Sequence, residues 1–121
     1  MIKMLDGSAG NVVGIKFSGK ITDADYKGMT PGLAKIVEAQ GTMKVLMDLS
    51  EAGSITPKAM LDDFAFMKEY GQKVTKVAMV SDSKWDELEA EFSDLVAKLL
   101  KGEVKYFPVN QMDDAWAWVR A

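Results

Sequence analysis

The sequence predicts an α/β fold: one domain over residues 1–121, with a mixed five-stranded sheet and four helices in the order β-β-α-β-α-β-α-β-α. Three observations predict it. Segments that alternate at period two, or run continuously apolar, take turns with segments of helical period. Three of the helical segments open on Ser or Thr and stop at a glycine, which is the usual punctuation of a helix. The first two strand-like segments adjoin with no helix between them, so the sheet opens antiparallel and continues parallel through crossovers.

Met1 to Leu5 reads as the first strand and Asp6-Gly7-Ser8-Ala9-Gly10-Asn11 as a turn-rich connection, long for a tight hairpin. Val12 to Ser18 is the second strand, with Val13, Ile15 and Phe17 alternating. Thr22-Asp23-Ala24-Asp25 opens a helix: Thr22 can accept from a first-turn amide, and the acids suit the positive end of the dipole. Tyr26, Met29, Leu33, Ile36 and Val37 keep its spacing, and Gly41 ends it. Pro31 in the middle removes one backbone bond and crowds the carbonyl of Lys27, which predicts a kink or a break.

Lys44 to Leu49 is a near-continuous apolar run of the kind found in central parallel strands. Ser50 to Ile55 reads as a loop, and Thr56-Pro57 starts the second helix, which runs to about Tyr70 and stops at Gly71. Val74 to Ser81 is a strand. Ser83-Lys84-Trp85-Asp86 resembles a capping box and begins a third helix carrying Leu88, Phe92, Leu95, Val96 and Leu99, ended by Gly102. Glu103 to Pro108 is the last strand and Asp113 to Arg120 the last helix.

A chain of 121 residues fits one domain and buries about two-thirds of the surface its unfolded form exposes. Hydrophobic residues are 48% and charged residues 27%, the balance of a folded globular protein. The sequence has no Cys and no His. That removes disulfides, thiolate nucleophiles, Cys/His zinc sites and His-based acid–base catalysis together. The net charge of −3 argues against nucleic-acid binding, which needs clustered Lys and Arg. Asp6 falls where a signal peptide would be apolar, and no run approaches 18 apolar residues. The expectation is a cytoplasmic protein, not embedded in a membrane.

Ligands of open α/β sheets gather beyond the carboxyl ends of the strands. That edge offers Ser50, Ser54, Thr56, Ser81, Asp82, Ser83 and Trp85. Two helices start there, so a small polar or anionic ligand, or an acidic group of a partner, is one reading. Ordinary capping and turn chemistry is the other. Asp48 and Asp82 both lie near strand ends, where a carboxylate pair could serve acid–base or metal chemistry, but without a Gly-rich phosphate loop or a third ligand they read as solvated strand-end acids, and no metal or cofactor is expected. Nine methionines suit an irregular core or an adaptable binding surface. Trp116 and Trp118, two apart on a helix, cannot share one face, so one is expected on the sheet and the other at an edge or contact.

The second helix has a wide apolar side. At helical spacing, Leu61, Phe64, Met60, Met67, Tyr70 and Phe66 span roughly 220°, more than one sheet face requires. The Phe66/Tyr70 side therefore meets a neighbouring helix of the same domain, a lipid-like ligand or another chain, most simply in a homodimer.

The order of elements is similar to that of STAS domains, the family of bacterial anti-sigma-factor antagonists. Asp48-Leu49-Ser50 resembles the Asp-Leu-Ser that closes the equivalent strand. Met1-Ile2-Lys3 to Val12-Val13-Gly14, Gly19-Lys20-Ile21-Thr22 with Asp25-Tyr26, the Pro31 helix, and Tyr106-Phe107 to Ala115-Trp116-Ala117-Trp118 resemble more specifically the SpoIIAA-like branch. The resemblance implies a non-enzymatic regulatory or protein-interaction module. It also implies an alternative, a carrier for a lipid-like or small amphipathic ligand, because related folds hold lipids between a helix and the sheet. One departure bears on regulation: counting from Asp48-Leu49-Ser50, the Asp-Ser-Ser-Gly of the phosphorylated members falls on Thr56-Pro57-Lys58-Ala59. Pro57 at the modified position cannot accept phosphate, and Thr56 beside it reads as a helix cap.

Overall fold

A computed structural model describes residues 1–82, 99–100 and 102–121. Its strands are β1 (Ile2–Met4), β2 (Val12–Ile21), β3 (Met43–Ile55), β4 (Val74–Ser81) and β5 (Glu103–Pro108). Its α-helices are α1 (Asp23–Gln40), α2 (Pro57–Tyr70) and α3 (Met112–Arg120). Among the described residues there are thus three α-helices rather than the four expected; the third predicted helix and its Ser83 cap lie outside them. The sheet order is β1-β2-β3-β4-β5, with β1 antiparallel to β2 and every later pair parallel.

The hairpin connection is long because it contains its own turn. Ala9 and Val12 exchange backbone bonds of 2.9 and 3.0 Å, and Gly10 between them takes a φ of 61°, a left-handed conformation that favours glycine. Thr22 caps α1 with a full capping box: its Oγ1 accepts from the Asp25 amide, and Asp25 Oδ2 accepts from the Thr22 amide at 2.9 Å. Gly41, at φ 80°, closes the helix by donating to the Val37 carbonyl.

Two sequence expectations need correction. The first is the break at Pro31, because α1 is continuous for 18 residues. Pro31 and Lys27, whose carbonyl loses its partner, both lie on the exposed side of the helix, so water can satisfy that carbonyl. The second is the loop over Ser50 to Ile55, which is strand. β2 runs on through Gly19-Lys20-Ile21, and Ser18, Gly19, Lys20 and Ile21 pair with Glu51, Ala52, Ser54 and Ile55 across two register shifts. Pairing of β3 with β4 ends at Asp48 and Val80, so β2 and β3 form a two-stranded extension beyond the rest of the sheet.

Successive residues of a strand point to opposite faces, and the core follows that rule. Val45, Val77 and Met79 belong to a large cluster with Leu33 and Val37 of α1 and Met67 of α2. Leu46, Ala78, Val80 and Phe107 join Ala115 and Val119 of α3 in a smaller one. α1 and α2 therefore cover one face and α3 the other, which is why the central strands read as continuous apolar runs. Each fully buried aliphatic side chain such as Val119 or Leu46 contributes about 1.5–3 kcal/mol.

Trp116 and Trp118 are both half-buried, on either side of the buried Ala115–Val119 stripe, Trp116 against β2 inside the sheet and Trp118 against the edge strand β5. Trp116 lies over Gly14 and stacks under the Arg120 guanidinium at 4.5 Å. Trp118 meets Phe107, with ring centroids 6.0 Å apart, and Lys76 stands 5.0 Å from its ring.

Candidate functional site

The strand-end residues do not converge. Ser50 is half-buried, and its amide donates to Asp48 Oδ1 at 3.0 Å. Ser54 is exposed and pairs with Lys20 on the β2–β3 extension, about 16 Å further along the strand than the level of Ser81. Thr56 Oγ1 accepts from the Ala59 amide at 3.2 Å, so it serves as the cap of α2, with Pro57 at the first helical position. Asp82 is exposed after β4, whereas Asp48 is buried, which corrects its reading as a solvated strand-end acid. Opposite Asp48 stands Lys16. Its ammonium is held above the ordinary lysine value by its hydrogen bond to Glu51 and by that group's charge, with a smaller contribution from Asp48. Ser83 and Trp85 lie outside the described residues.

Phe66 and Tyr70 stack on each other at 4.9 Å between centroids. They are half-buried against the main core and line a groove between α1 and α2 together with Lys27, Pro31 and Asp62. Their inner side packs within the chain, and their outer side faces the groove. The apolar residues of α2 that remain in water are Met60, Leu61 and Phe64, at 41%, 68% and 36% exposure.

The concave site lies elsewhere. A cavity of about 70 Å³ sits between the sheet and the α1–α2 layer. β2 contributes Ile15 and Phe17, β3 contributes Met43 and Met47, and β4 contributes Val77 and Met79. Met29 and Leu33 close it from α1, and Phe66 and Met67 from α2. Five of the nine methionines thus face this space: Met29, Met43, Met47, Met67 and Met79. Their unbranched thioethers adapt to irregular shapes.

Within these apolar walls, among the described residues, stands one ionisable pair. The Tyr26 hydroxyl donates to the Asp63 carboxylate. Burial pushes the Asp63 carboxyl up to about 6, and the Tyr26 hydrogen bond offsets part of that rise. Tyr26 is itself held above the ordinary phenol value by burial first and by the Asp63 charge second. Thr30 supplies a further hydroxyl-bearing side chain to the lining.

Asp63 was not among the candidates drawn from the sequence, although a signal was present. At helical spacing it falls between Tyr70 and Met67, inside the apolar side of α2 rather than on its charged remainder. An acid within the apolar side of a helix is the informative observation. Among the described residues no group of three or more possible ligands for a metal ion occurs, and no helix is long and apolar enough to cross a membrane.

Comparison with known proteins agrees with this architecture. No curated protein matches the sequence. Among solved structures, an uncharacterized protein from Shewanella loihica PV-4 with a SpoIIAA-like fold superposes with a TM-score of 0.78 at 24% identity. The match covers 98% of this chain and 93% of that one. The family model described as SpoIIAA-like matches residues 12–120, from the start of β2 to the end of α3. The chain belongs to the SpoIIAA-like family.

Proposed function

We propose that this chain is a non-enzymatic binding domain that holds a small apolar or amphipathic molecule between its sheet and the α1–α2 layer. The observation that carries this reading is the cavity, with methionine and aliphatic walls around the Asp63–Tyr26 pair. Ligand pockets combine apolar walls with a few placed polar groups that orient the occupant. Protein cores are otherwise close-packed, and a desolvated acid lowers stability, so both features are costly in a core with no other role. The non-enzymatic part rests on the sequence, which lacks the His and Cys on which most acid–base and nucleophilic sites are built. Native mass spectrometry of the protein purified from its own cells tests the reading. A small-molecule adduct released on denaturation supports it, and a chain that is always bare refutes it.

A second reading keeps the regulatory or protein-interaction module that the resemblance implies. Met60, Leu61 and Phe64 favour it, because an exposed apolar patch marks interaction surfaces. The partner is then another protein or a second copy of the chain. Leu61→Glu combined with Phe64→Glu separates the readings: loss of a complex in light scattering, with the fold intact, favours the interaction module.

A further inference from the structure

We propose that the cavity takes a neutral apolar molecule with one hydrogen-bond-donating head, an alcohol or phenol rather than a carboxylate, seated with its head on the Asp63–Tyr26 pair. This rests on reading the cavity as a ligand site and specifies the chemistry that it selects. Among the described residues that line it, the polar side chains are those of Asp63, Tyr26 and Thr30, and none is Lys or Arg. A carboxylate occupant would therefore bring a second negative charge into an apolar space whose described lining residues include no Lys or Arg to pair it, which is strongly unfavourable. A carboxylate side chain has about four lone-pair sites, and the Tyr26 hydroxyl fills one. A donor head adds a second bond to the same group, whereas an ether or ester head has no proton to give. Burial holds Asp63 near 6, so at neutral pH it is mostly ionised and acts as an acceptor only.

The space fits the same assignment. A cavity of about 70 Å³ exceeds the share of one water, about 30 Å³, yet is small for a long chain. Phe66 and Thr30 line both this cavity and the α1–α2 groove, whose volume is about 320 Å³. A rotation of Phe66 joins the two spaces, so the groove is the route of entry and provides room for the far end of a longer molecule.

The test is a titration of the full chain with n-hexanol and with hexanoate at neutral pH, followed through the NMR signals of the cavity residues. The expected result is that hexanol shifts Tyr26, Asp63, Met67 and Val77 and binds about tenfold or more tightly than hexanoate. Asp63→Asn keeps an acceptor and removes the charge, so hexanoate should gain affinity and the gap should narrow. Asp63→Leu, verified as folded by circular dichroism, should weaken hexanol severalfold. Hexanoate binding the wild type as tightly as hexanol overturns the head-group assignment and leaves the cavity reading standing. Neither probe shifting the cavity residues overturns both.

Discussion

Gly14 shows how one missing side chain positions a whole element. A Cβ built there would lie 2.7 Å from Cζ2 of Trp116, because the six-membered ring of that indole reaches the bare backbone of β2. Gly14→Ala is expected to cost about 1–3 kcal/mol in urea unfolding through overpacking. The same change made on a Trp116→Ala background should cost much less, and equal costs on the two backgrounds would show that Trp116 is not the obstacle. Asp63 makes the second prediction at this scale. Its folded value of about 6 lies above the ordinary 3.8, so the folded state holds the proton more tightly than the unfolded one. Stability is therefore undiminished by this group below about pH 4, falls as pH rises from about 4 to about 6, and stays lowered above that. The rise corresponds to about 3 kcal/mol at most. Asp63→Asn should stabilise the protein by up to about that amount at about pH 7.5 and hardly at all at about pH 4. Equal effects at both pH values would contradict the burial of the charge. Gly14 does not stand out in the sequence, since its neighbour Trp116 is about a hundred positions away; Asp63 leaves a partial signal, its place on the apolar side of α2, but its partner Tyr26 lies a helix away.

At the scale of elements, local punctuation was legible and the length of the β2–β3 pairing was not. Thr22, Gly41 and Thr56 perform the capping that their identities suggest, because a cap involves only residues within one turn. Thr22→Ala should lower stability by about 1 kcal/mol, measurable as a lower melting temperature. The continuity of α1 through Pro31 depends on which side of the helix the proline faces, a tertiary fact. Pro31→Ala restores a backbone donor at an exposed position and should stabilise the fold by about 1–3 kcal/mol; a loss of stability would mean that the proline shapes the helix for packing. Ser50-Glu51-Ala52-Gly53-Ser54 reads as a loop by composition and becomes strand because the end of β2 pairs with it. The cap on α2 carries a regulatory consequence. With Pro57 at the first helical position and Thr56 Oγ1 engaged with the Ala59 amide, incubation with cellular kinases should leave residues 55–59 unphosphorylated in peptide mass mapping. Phosphate found on Thr56 would refute this.

For the whole molecule, the mixed sheet and the parallel orientation of its later strands followed from the alternation of periods and the opening hairpin, because each parallel crossover needs a helix between its strands, whereas the order of the strands across the sheet is seen only in the fold. The binding site did not follow. Strand ends are the general place to look in an open α/β sheet, but here the β2–β3 extension carries Ser54 and Thr56 away from Ser81 and Asp82, and the concave space opens on the helix-covered face instead. Its described walls come from all of β2, β3, β4, β5, α1 and α2, with Leu100, so no single stretch of sequence carries its signature. The nine methionines were the partial clue, consistent with a core or with an adaptable site until five of them were seen to share one cavity. The central claim is that this cavity is occupied in the cell. The most direct measurement is native mass spectrometry of the wild type and of Val77→Phe, which places a ring in that space, purified side by side from the native cells. The account predicts a small-molecule adduct on the wild type and none on the folded variant. A bare wild type, or the same adduct on both, would contradict it.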